Sequence, residues 1–272
     1  MTAMNNTAQL HLYPTPNGKV TAFSTTRHGG CGSDTYASFN CTPYVGDEPA
    51  FVRANQEQLC KLLGISLERL IIPYQNHSCN ILTIDESFMH LSSDARQAIL
   101  QEKDAVMTNI PGLCLCVSTA DCIPILLYDA THRAIAAVHA GWRGTVSRIV
   151  TQTLQAMQET YGTMGTDIHA VVGPGISLDA FEVGIEVYDA FKEASFDMER
   201  IARWYPEKGK YHIDLPGANR LQLLAAGVPL GQIHDSDICT YSRCRDFFSA
   251  RRLGVKSGRI LNGIMLSTTP NS

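Results

Sequence analysis

Three apolar runs between residues 113 and 139 constrain the fold of this chain more than any other feature. Leu113–Val117, Ile125–Tyr128 and Ala134–His139 are too short for helices of ordinary length and carry almost no polar residue. Each reads as a strand. Two of them are nearly continuous in apolar character, which implies a sheet covered on both faces.

The rest of the chain supplies elements to cover it. Val20–Thr25 is a further strand, running into the glycine loop Thr26-Arg27-His28-Gly29-Gly30. Asp47-Glu48-Pro49 marks a helix start, with an acidic cap and Pro in the first turn. That helix carries Val52, Leu59, Leu62 and Leu63 and stops at Gly64. Short β-like runs at Leu70–Gln75 and Ile81–Ile84 flank Asn76-His77-Ser78-Cys79, and a polar or helical stretch follows from Glu86 to Lys103. Val146, Ile149, Val150, Leu154, Met157 and Tyr161 recur at helical spacing, predicting one helix from about Thr145 to Gly162. Ile168–Val172 is a strand broken by Gly173-Pro174-Gly175, and Glu186–Ala194 and Ala218–Ala226 are helices. Strands and helices mix without a strict βαβ repeat, so the expected class is α+β, a mixed-sheet sandwich. No repeat or linker interrupts residues 1–272, which are expected to form one domain with roughly the first ten residues frayed.

Composition narrows the function. At 272 residues with 44% hydrophobic and 18% charged, the chain can bury a sizeable core without staples. A net charge of −4 gives no electrostatic case for nucleic acid or an anionic membrane as partner. Nine cysteines cannot all pair with one another. The first ten residues lack the basic and apolar regions of a signal peptide, and no apolar run approaches the ~20 residues of a membrane span. A reduced, cytoplasmic protein is expected.

The chemistry centres on Ala120-Asp121-Cys122-Ile123-Pro124 and Val138-His139-Ala140-Gly141-Trp142-Arg143-Gly144. A hairpin with its loop at Asp129–His132 places Tyr128 opposite Arg133 and, in register, Cys122 opposite His139. Facing side chains have Cβ atoms roughly 4.5–5.5 Å apart, close enough for a thiolate and an imidazole to share one cation. Pro124 would fall inside this ladder, which predicts loose or edge pairing. Cys122 alone reads as a core residue. His139 shifts that balance, because it ends an apolar strand directly before a glycine turn and a helix start. Gly141 and Gly144 permit close backbone approach, and Arg143 adds a positive charge, although a structural turn around a packed Trp142 has the same sequence. A catalytic metal wants three protein ligands and one open position. His77, in a polar break between two apolar runs, is the best third candidate, though by itself it reads as a surface or hydrogen-bonded histidine before a ligand.

These motifs resemble the bacterial YfiH-like family, also described as laccase-domain or multicopper-polyphenol-oxidase-like proteins. The resemblance spans most of the chain. It rests on Thr26-Arg27-His28-Gly29-Gly30, Ser38-Phe39-Asn40, Gln75-Asn76-His77, Asp121-Cys122-Ile123-Pro124, His139-Ala140-Gly141-Trp142-Arg143-Gly144, Gly173-Pro174-Gly175-Ile176 and Phe247-Phe248-Ser249-Ala250-Arg251-Arg252. It implies a layered α/β/β/α sandwich with mixed sheets, like that of the cysteine-hydrolase-like toxin domains. It also implies a zinc held by His77, Cys122 and His139. The activities it implies are phosphorolysis of adenosine, inosine, guanosine and methylthioadenosine, and deamination of adenosine. Two other readings travel with the family: a copper-dependent polyphenol oxidase and a cytoplasmic editing role in peptidoglycan-precursor synthesis. The chain departs from the pattern at Asn76, where a small apolar residue is usual, and in a long stretch between His77 and Asp104.

Chemistry then suggests roles around that centre. Arg27 and Arg143 suit a phosphate, Asn40 a ribose or base, Cys239 the pocket wall, and Phe248 the face of a base. Each also has a structural reading: a surface ion pair for Arg27, a buried thiol for Cys239, core packing for Phe248. The zinc-deaminase signature His-x-Glu with Pro-Cys-x-x-Cys is absent. A multicopper oxidase needs many more histidine ligands than the single mononuclear site seen here. A His₂Cys set also binds copper in vitro, since copper outcompetes zinc on raw affinity. A zinc-binding partner of a cell-wall enzyme, without turnover of its own, is the non-enzymatic alternative.

Overall fold

The computed structural model of the chain describes residues 8–268. Two sheets lie face to face. One has six strands, in the order Ile233–Asp235, Ile168–Val172, Ile123–Asp129, Ala134–Ala140, Ala105–Thr108, Ile81–Thr83. The other has five, in the order Leu10–Leu12, Val20–Thr25, Ile260–Leu266, Cys114–Thr119, Leu70–Ile71. Both are mixed: each has a parallel pair at an edge, and the central pairs are antiparallel. A small antiparallel sheet of Glu182–Val183, Lys210–Ile213 and Ala202–Tyr205 stands apart from them.

Side-chain alternation decides the layers. Ile123, Ile125 and Leu127 share one core with Ala134, Ala136 and Val138. Ile149, Val150, Leu154 and Met157 of the helix Ile149–Tyr161 complete it, with Leu215, Ala218 and Leu223 of the helix Leu215–Ala225. Leu126, Tyr128, Ile135 and Ala137 point the other way and meet Leu115, Val117, Ile264 and Leu266 of the second sheet. Beyond that sheet, Phe23, Cys114 and Cys116 pack on Phe39 and on Leu59 of the helix Pro49–Leu63. The layers therefore run helix, sheet, sheet, helix. Both strands of the central hairpin are buried along their whole length, as their unbroken apolar sequence requires.

Several expectations need correction. The helix from Thr145 to Gly162 is two helices, Trp142–Val146 and Ile149–Tyr161, separated at Arg148, whose φ is 63°. Arg148 donates to the Ala194 carbonyl and lies 3.6 Å over the Phe196 ring, contacts that anchor the break. The Leu70–Gln75 run is a strand only at Leu70–Ile71; Pro73 has no N–H to contribute, and beyond it Tyr74 makes an isolated parallel bridge with Gln101. Glu86–Lys103 contains two short helices, Glu86–Met89 and Ser93–Ile99, capped by Asp85 and Ser92. The helix at Ala218 starts earlier, at Leu215, with Asp214 accepting from the Gly217 N–H. Of the frayed start, residues 1–7 lie outside the described residues, but Ala8 is buried and Leu10–Leu12 pairs with Phe23–Thr25.

The central hairpin has a different register from the one expected. Asp129 pairs with Ala134 and Pro124 with His139, so His139 faces Pro124 rather than Cys122. The loop is set by Asp129, whose carboxylate accepts from the N–H groups of Thr131 and His132. The slip is two residues, and a shift of two leaves every side chain on the same face. Pro124 sits in a central strand, not at an edge. Its carbonyl accepts from the Gly173 N–H just past the last pair with the neighbouring strand, Ile125 and Val172. Its missing N–H therefore points beyond the end of that ladder.

Candidate functional site

Three side chains converge at one end of the six-stranded sheet. Cys122 immediately precedes the strand Ile123–Asp129, and His139 is the penultimate residue of Ala134–Ala140. Cys122 has the parity of Leu126, and His139 that of Ala137, so both sit on the inter-sheet face. His77 comes from the loop before Ile81–Thr83. The Cys122 Sγ is 3.9 Å from His77 Nε2, and the two imidazole rings are 4.9 Å apart, edge to face. One donor atom from each residue lies within 4.8 Å of the others. His139 is buried, Cys122 half-buried and His77 exposed, which leaves one side of the cluster open.

Asp104 assembles this cluster, and its part was not read from the sequence. It is fully buried at the start of the strand Ala105–Thr108. Its carboxylate accepts from the N–H groups of His77 at 3.0 Å and Ser78 at 2.8 Å, and from the Ser78 hydroxyl at 2.9 Å. These bonds hold His77 at a φ of 64°, the left-handed region. The same carboxylate accepts from His139 Nδ1–H at 2.7 Å, and the Asp104 carbonyl accepts from the His139 N–H. One residue thus fixes a loop, a ring and a tautomer, leaving His139 Nε2 free to act as a donor to a cation. The one sequence signal was an acid directly before the apolar run Ala105-Val106-Met107. Gly141 completes the packing: a Cβ there would lie 3.0 Å from both Cys122 Sγ and His77 Cδ2.

The electrostatics follow from this packing. Burial opposes ionisation of Cys122, but the His139 and His77 imidazoles outweigh it and bring the thiol down to about 6. Burial likewise opposes a charge on His139, yet the Cys122 thiolate and the Asp104 carboxylate raise it to about 9. Burial would lift the Asp104 carboxyl, and the hydrogen bonds and charge of His139 hold it below the ordinary range. Tetrahedral coordination at ~2.0–2.3 Å needs donors about 3.3–3.8 Å apart. The Cys122 Sγ–His77 Nε2 separation of 3.9 Å is just above that range and all three donors lie within 4.8 Å, so two imidazole nitrogens and a thiolate, with an oriented second partner on one ring, are a donor set that closes on a single zinc-like cation by small inward shifts.

The other residues singled out in the sequence fall differently. Cys239 is close: its backbone bridges Gly175, where a Cβ would lie 3.3 Å from the Cys122 carbonyl, and its Sγ accepts from the Ser177 hydroxyl at 3.1 Å. Arg143 begins the short helix after Gly141. It lies 4.2 Å over the Trp142 ring and makes no side-chain hydrogen bond among the described residues. Arg27 donates to the carbonyls of Ala37 and Cys244 and lies 4.9 Å over the Phe248 ring. Asn40 is fully buried, donating to Asp47 and Thr42 and accepting from the N–H groups of Thr42 and Arg259. Phe248 is fully buried with Phe247 and Ile260. Neither keeps a free group or face for a ribose or base. Asp121, at a φ of 88°, ties the Cys122 loop to the C-terminal region by accepting from the Thr240 hydroxyl and the Arg251 N–H.

With this geometry in view, likeness to known proteins becomes decisive. The family described as multi-copper polyphenol oxidoreductase laccase matches residues 21–267. The chain belongs to this laccase-like YfiH family. A protein named purine nucleoside phosphorylase from Bacteroides thetaiotaomicron is 55% identical, covering 91% of this chain and 92% of its own. A protein named adenosine deaminase RL5, from an unknown prokaryotic organism, is 44% identical, covering 90% and 93%. Among solved structures, YlmD from Geobacillus stearothermophilus superposes with a TM-score of 0.85 at 31% identity, covering 93% of this chain and 94% of its own. The α+β sandwich with mixed sheets is the architecture of these family members.

Proposed function

We propose that this family member is a single-domain, cytoplasmic, zinc-dependent purine nucleoside enzyme. In this reading it cleaves adenosine, inosine, guanosine or methylthioadenosine with phosphate and also deaminates adenosine. The observation that carries the reading is the convergence of His77, Cys122 and His139 with an open side, on a chain 55% and 44% identical to proteins named for these two activities. His77 Nε2, Cys122 Sγ and His139 Nε2 would hold the ion, and a cation so held supplies a bound water made acidic near neutral pH. The protein's own part is positional. Asp104 keeps the His139 tautomer and the His77 loop in place, and Gly141 leaves room for the donors to meet. Cys239, bridged to Gly175 beside the Cys122 carbonyl, would meet a substrate edge, whereas Arg143 lies over the Trp142 ring. No helix among the described residues is long and apolar enough to cross a membrane, and all nine cysteines are free, which supports a reduced compartment.

The oxidase reading has less support. The second group of donors, Asp129, His132 and Asp167, lies at the far end of the hairpin and is spent on its own loop. With that group spent, the described residues offer one open three-donor centre, a poor basis for four-electron chemistry on O₂. The test is incubation of the purified protein with adenosine and inorganic phosphate, with chromatographic detection of adenine, hypoxanthine and ribose 1-phosphate. Cys122→Ala is expected to lower turnover at least about a hundredfold and to release the bound metal. Turnover that survives the substitution rejects the reading, and metal analysis of protein grown without added copper identifies the ion.

A further inference from the structure

The site as described is rich in negative charge. Cys122, Asp104 and Asp121 all lie in or beside it, yet a phosphate must approach if phosphorolysis is to occur. A fixed cation is needed to receive it. Of the two arginines chosen from sequence, Arg27 lies against the Cys244 segment, where the charge acting on it is that of Cys244 rather than Cys122, and Arg143 lies 4.2 Å over the Trp142 ring. A third arginine has the required place and geometry.

Arg259 lies one residue before the strand Ile260–Leu266. Ile260 pairs with Thr119, so Arg259 stands opposite Ala120, where the chain leaves the second sheet for Asp121 and Cys122. Its N–H donates to the buried Asn40 oxygen at 3.1 Å, which pins the backbone. Its guanidinium is held along one edge by backbone carbonyls, Nη1 donating to Ser257 and Gly258 and Nη2 to Val255. Carbonyls orient a guanidinium but do not neutralise it. No carboxylate lies within ion-pair distance among the described residues, whereas Arg53, Arg220 and Arg243 each have one. The ionisable groups whose charges act on it are Cys122, Tyr44, Tyr36 and Asp121. Tyr44 in turn donates to Gln75, two residues from His77. A half-buried, pre-oriented guanidinium without a carboxylate, beside the segment that carries Cys122, is built for an oxyanion.

We propose that Arg259 is the phosphate-binding residue of this site, gripping the oxyanion beside Cys122. The inference rests on the nucleoside reading only for where the phosphate comes from: free inorganic phosphate, or the 5′-phosphate of a nucleotide. The test uses the purified, metal-containing full chain and two variants, Arg259→Gln and Arg259→Lys. Thermal unfolding is measured with and without inorganic phosphate, and the KM for phosphate is measured at saturating adenosine. Expected results are an upward melting shift with phosphate in the wild type and none in Arg259→Gln. The KM for phosphate should rise roughly tenfold or more in Arg259→Gln, and less in Arg259→Lys, which keeps charge but loses the two-pronged grip. If Arg259→Gln fails to fold, the Lys variant carries the same comparison. Equal phosphate shifts and equal phosphate KM in wild type and both variants overturn the proposal. A wild type without phosphorolysis but with an Arg259-dependent phosphate shift rejects the nucleoside reading and keeps this one. A 5′-monophosphate that binds more tightly than its nucleoside, with the preference lost in Arg259→Gln, assigns the source to the nucleotide. Preference for the nucleoside plus free phosphate assigns it to the co-substrate.

Discussion

The central hairpin carries an aspartate–histidine pair at each end, and the two pairs have opposite fates. At one end Asp104 accepts from His139 Nδ1 at 2.7 Å, and at the other Asp129 meets His132 Nδ1 at 2.8 Å. Both carboxylates are fully buried. The difference is what surrounds the second ring nitrogen. The His139 side chain is 4% exposed and its ring stands against Cys122 and His77, whereas the His132 side chain is 36% exposed beside Gly162. Asp129 also spends its oxygens inside its own loop, on Thr131, His132 and Thr163. Asp104 instead reaches out to a distant loop and delivers His77. An Asp–His pair is therefore not a site by itself; the donors gathered around its free nitrogen make it one.

Neutralising the two acids in turn tests that contrast most strongly. Asp104→Asn keeps the size but weakens every bond to residues 76–78 and disturbs the His139 tautomer. Bound metal and kcat/KM are expected to fall roughly 10- to 100-fold, as for other partners behind a metal ligand. Asp129→Asn should destabilise folding by about 2–3 kcal/mol in urea titration, with turnover per folded molecule within about twofold of wild type. Equal activity losses in the two variants would erase the distinction drawn between the ends.

Gly141→Ala comes next in size. The new Cβ would crowd the Cys122 Sγ and the His77 ring at 3.0 Å each. Neither neighbour retreats easily, since the thiol is backed by the sheet and His77 is tied to Asp104. Metal affinity should drop about tenfold while the unfolding midpoint barely moves, a pattern read by competition with a chromophoric chelator. Unchanged affinity would mean that the donors do not share one cation.

The contrast between the ends also shows what a sequence can reveal. His139 was legible because it ends an apolar strand directly before a glycine turn, whereas Cys122 and His77 read by themselves as a core and a surface residue and became candidates only beside it. Asp104 borders an apolar run as well, but its importance depends on a loop arriving from 26 to 28 residues away, which periodicity does not encode. A sheet covered on both faces was legible from the unalternating runs 125–128 and 134–139, while the α/β/β/α layering came with the family resemblance. The strand Ile260–Leu266 was not legible, although it lies in the middle of the five-stranded sheet. Its glycine and asparagine disguise it: Asn262 is buried because Ser24, Val117 and Thr119 satisfy its amide, a partnership made only by the folded sheet. The hairpin register went astray because the loop is fixed by Asp129 side-chain bonds, not by a two-residue turn sequence.

The acid limb of stability provides a finer probe of the Asp129 end. Burial would raise its carboxyl, but Thr163, His132 and the loop N–H groups hold it below the ordinary 3.8. The folded protein therefore releases this proton more readily than the unfolded chain. The resulting stabilisation is complete above the unfolded pKa and is lost as pH falls through the lower, folded one. Melting temperature measured from about pH 6 to about pH 2 should show the gap between wild type and Asp129→Asn closing as the medium becomes acid. A gap that widens toward low pH would contradict the depressed carboxyl.

The smallest expected effect is at Gly162, which stands between the hairpin loop and the helix Ile149–Tyr161. Gly162 ends that helix at a φ of 80°, its N–H donating to the Gln158 carbonyl. An alanine Cβ there would meet His132 Nε2 at 3.6 Å, an ordinary contact, so the cost is conformational rather than steric. Holding a non-glycine residue in the left-handed region costs roughly 1–2 kcal/mol, and stiffening the unfolded chain returns part of it. Gly162→Ala should therefore lower the melting temperature by about 2–4 °C and leave turnover and metal content alone. An activity loss comparable to that of Gly141→Ala would show that strain at the loop end reaches the His139 end through the hairpin. Two glycines beside two histidines would then be coupled, and the ends of the sheet could no longer be treated as independent.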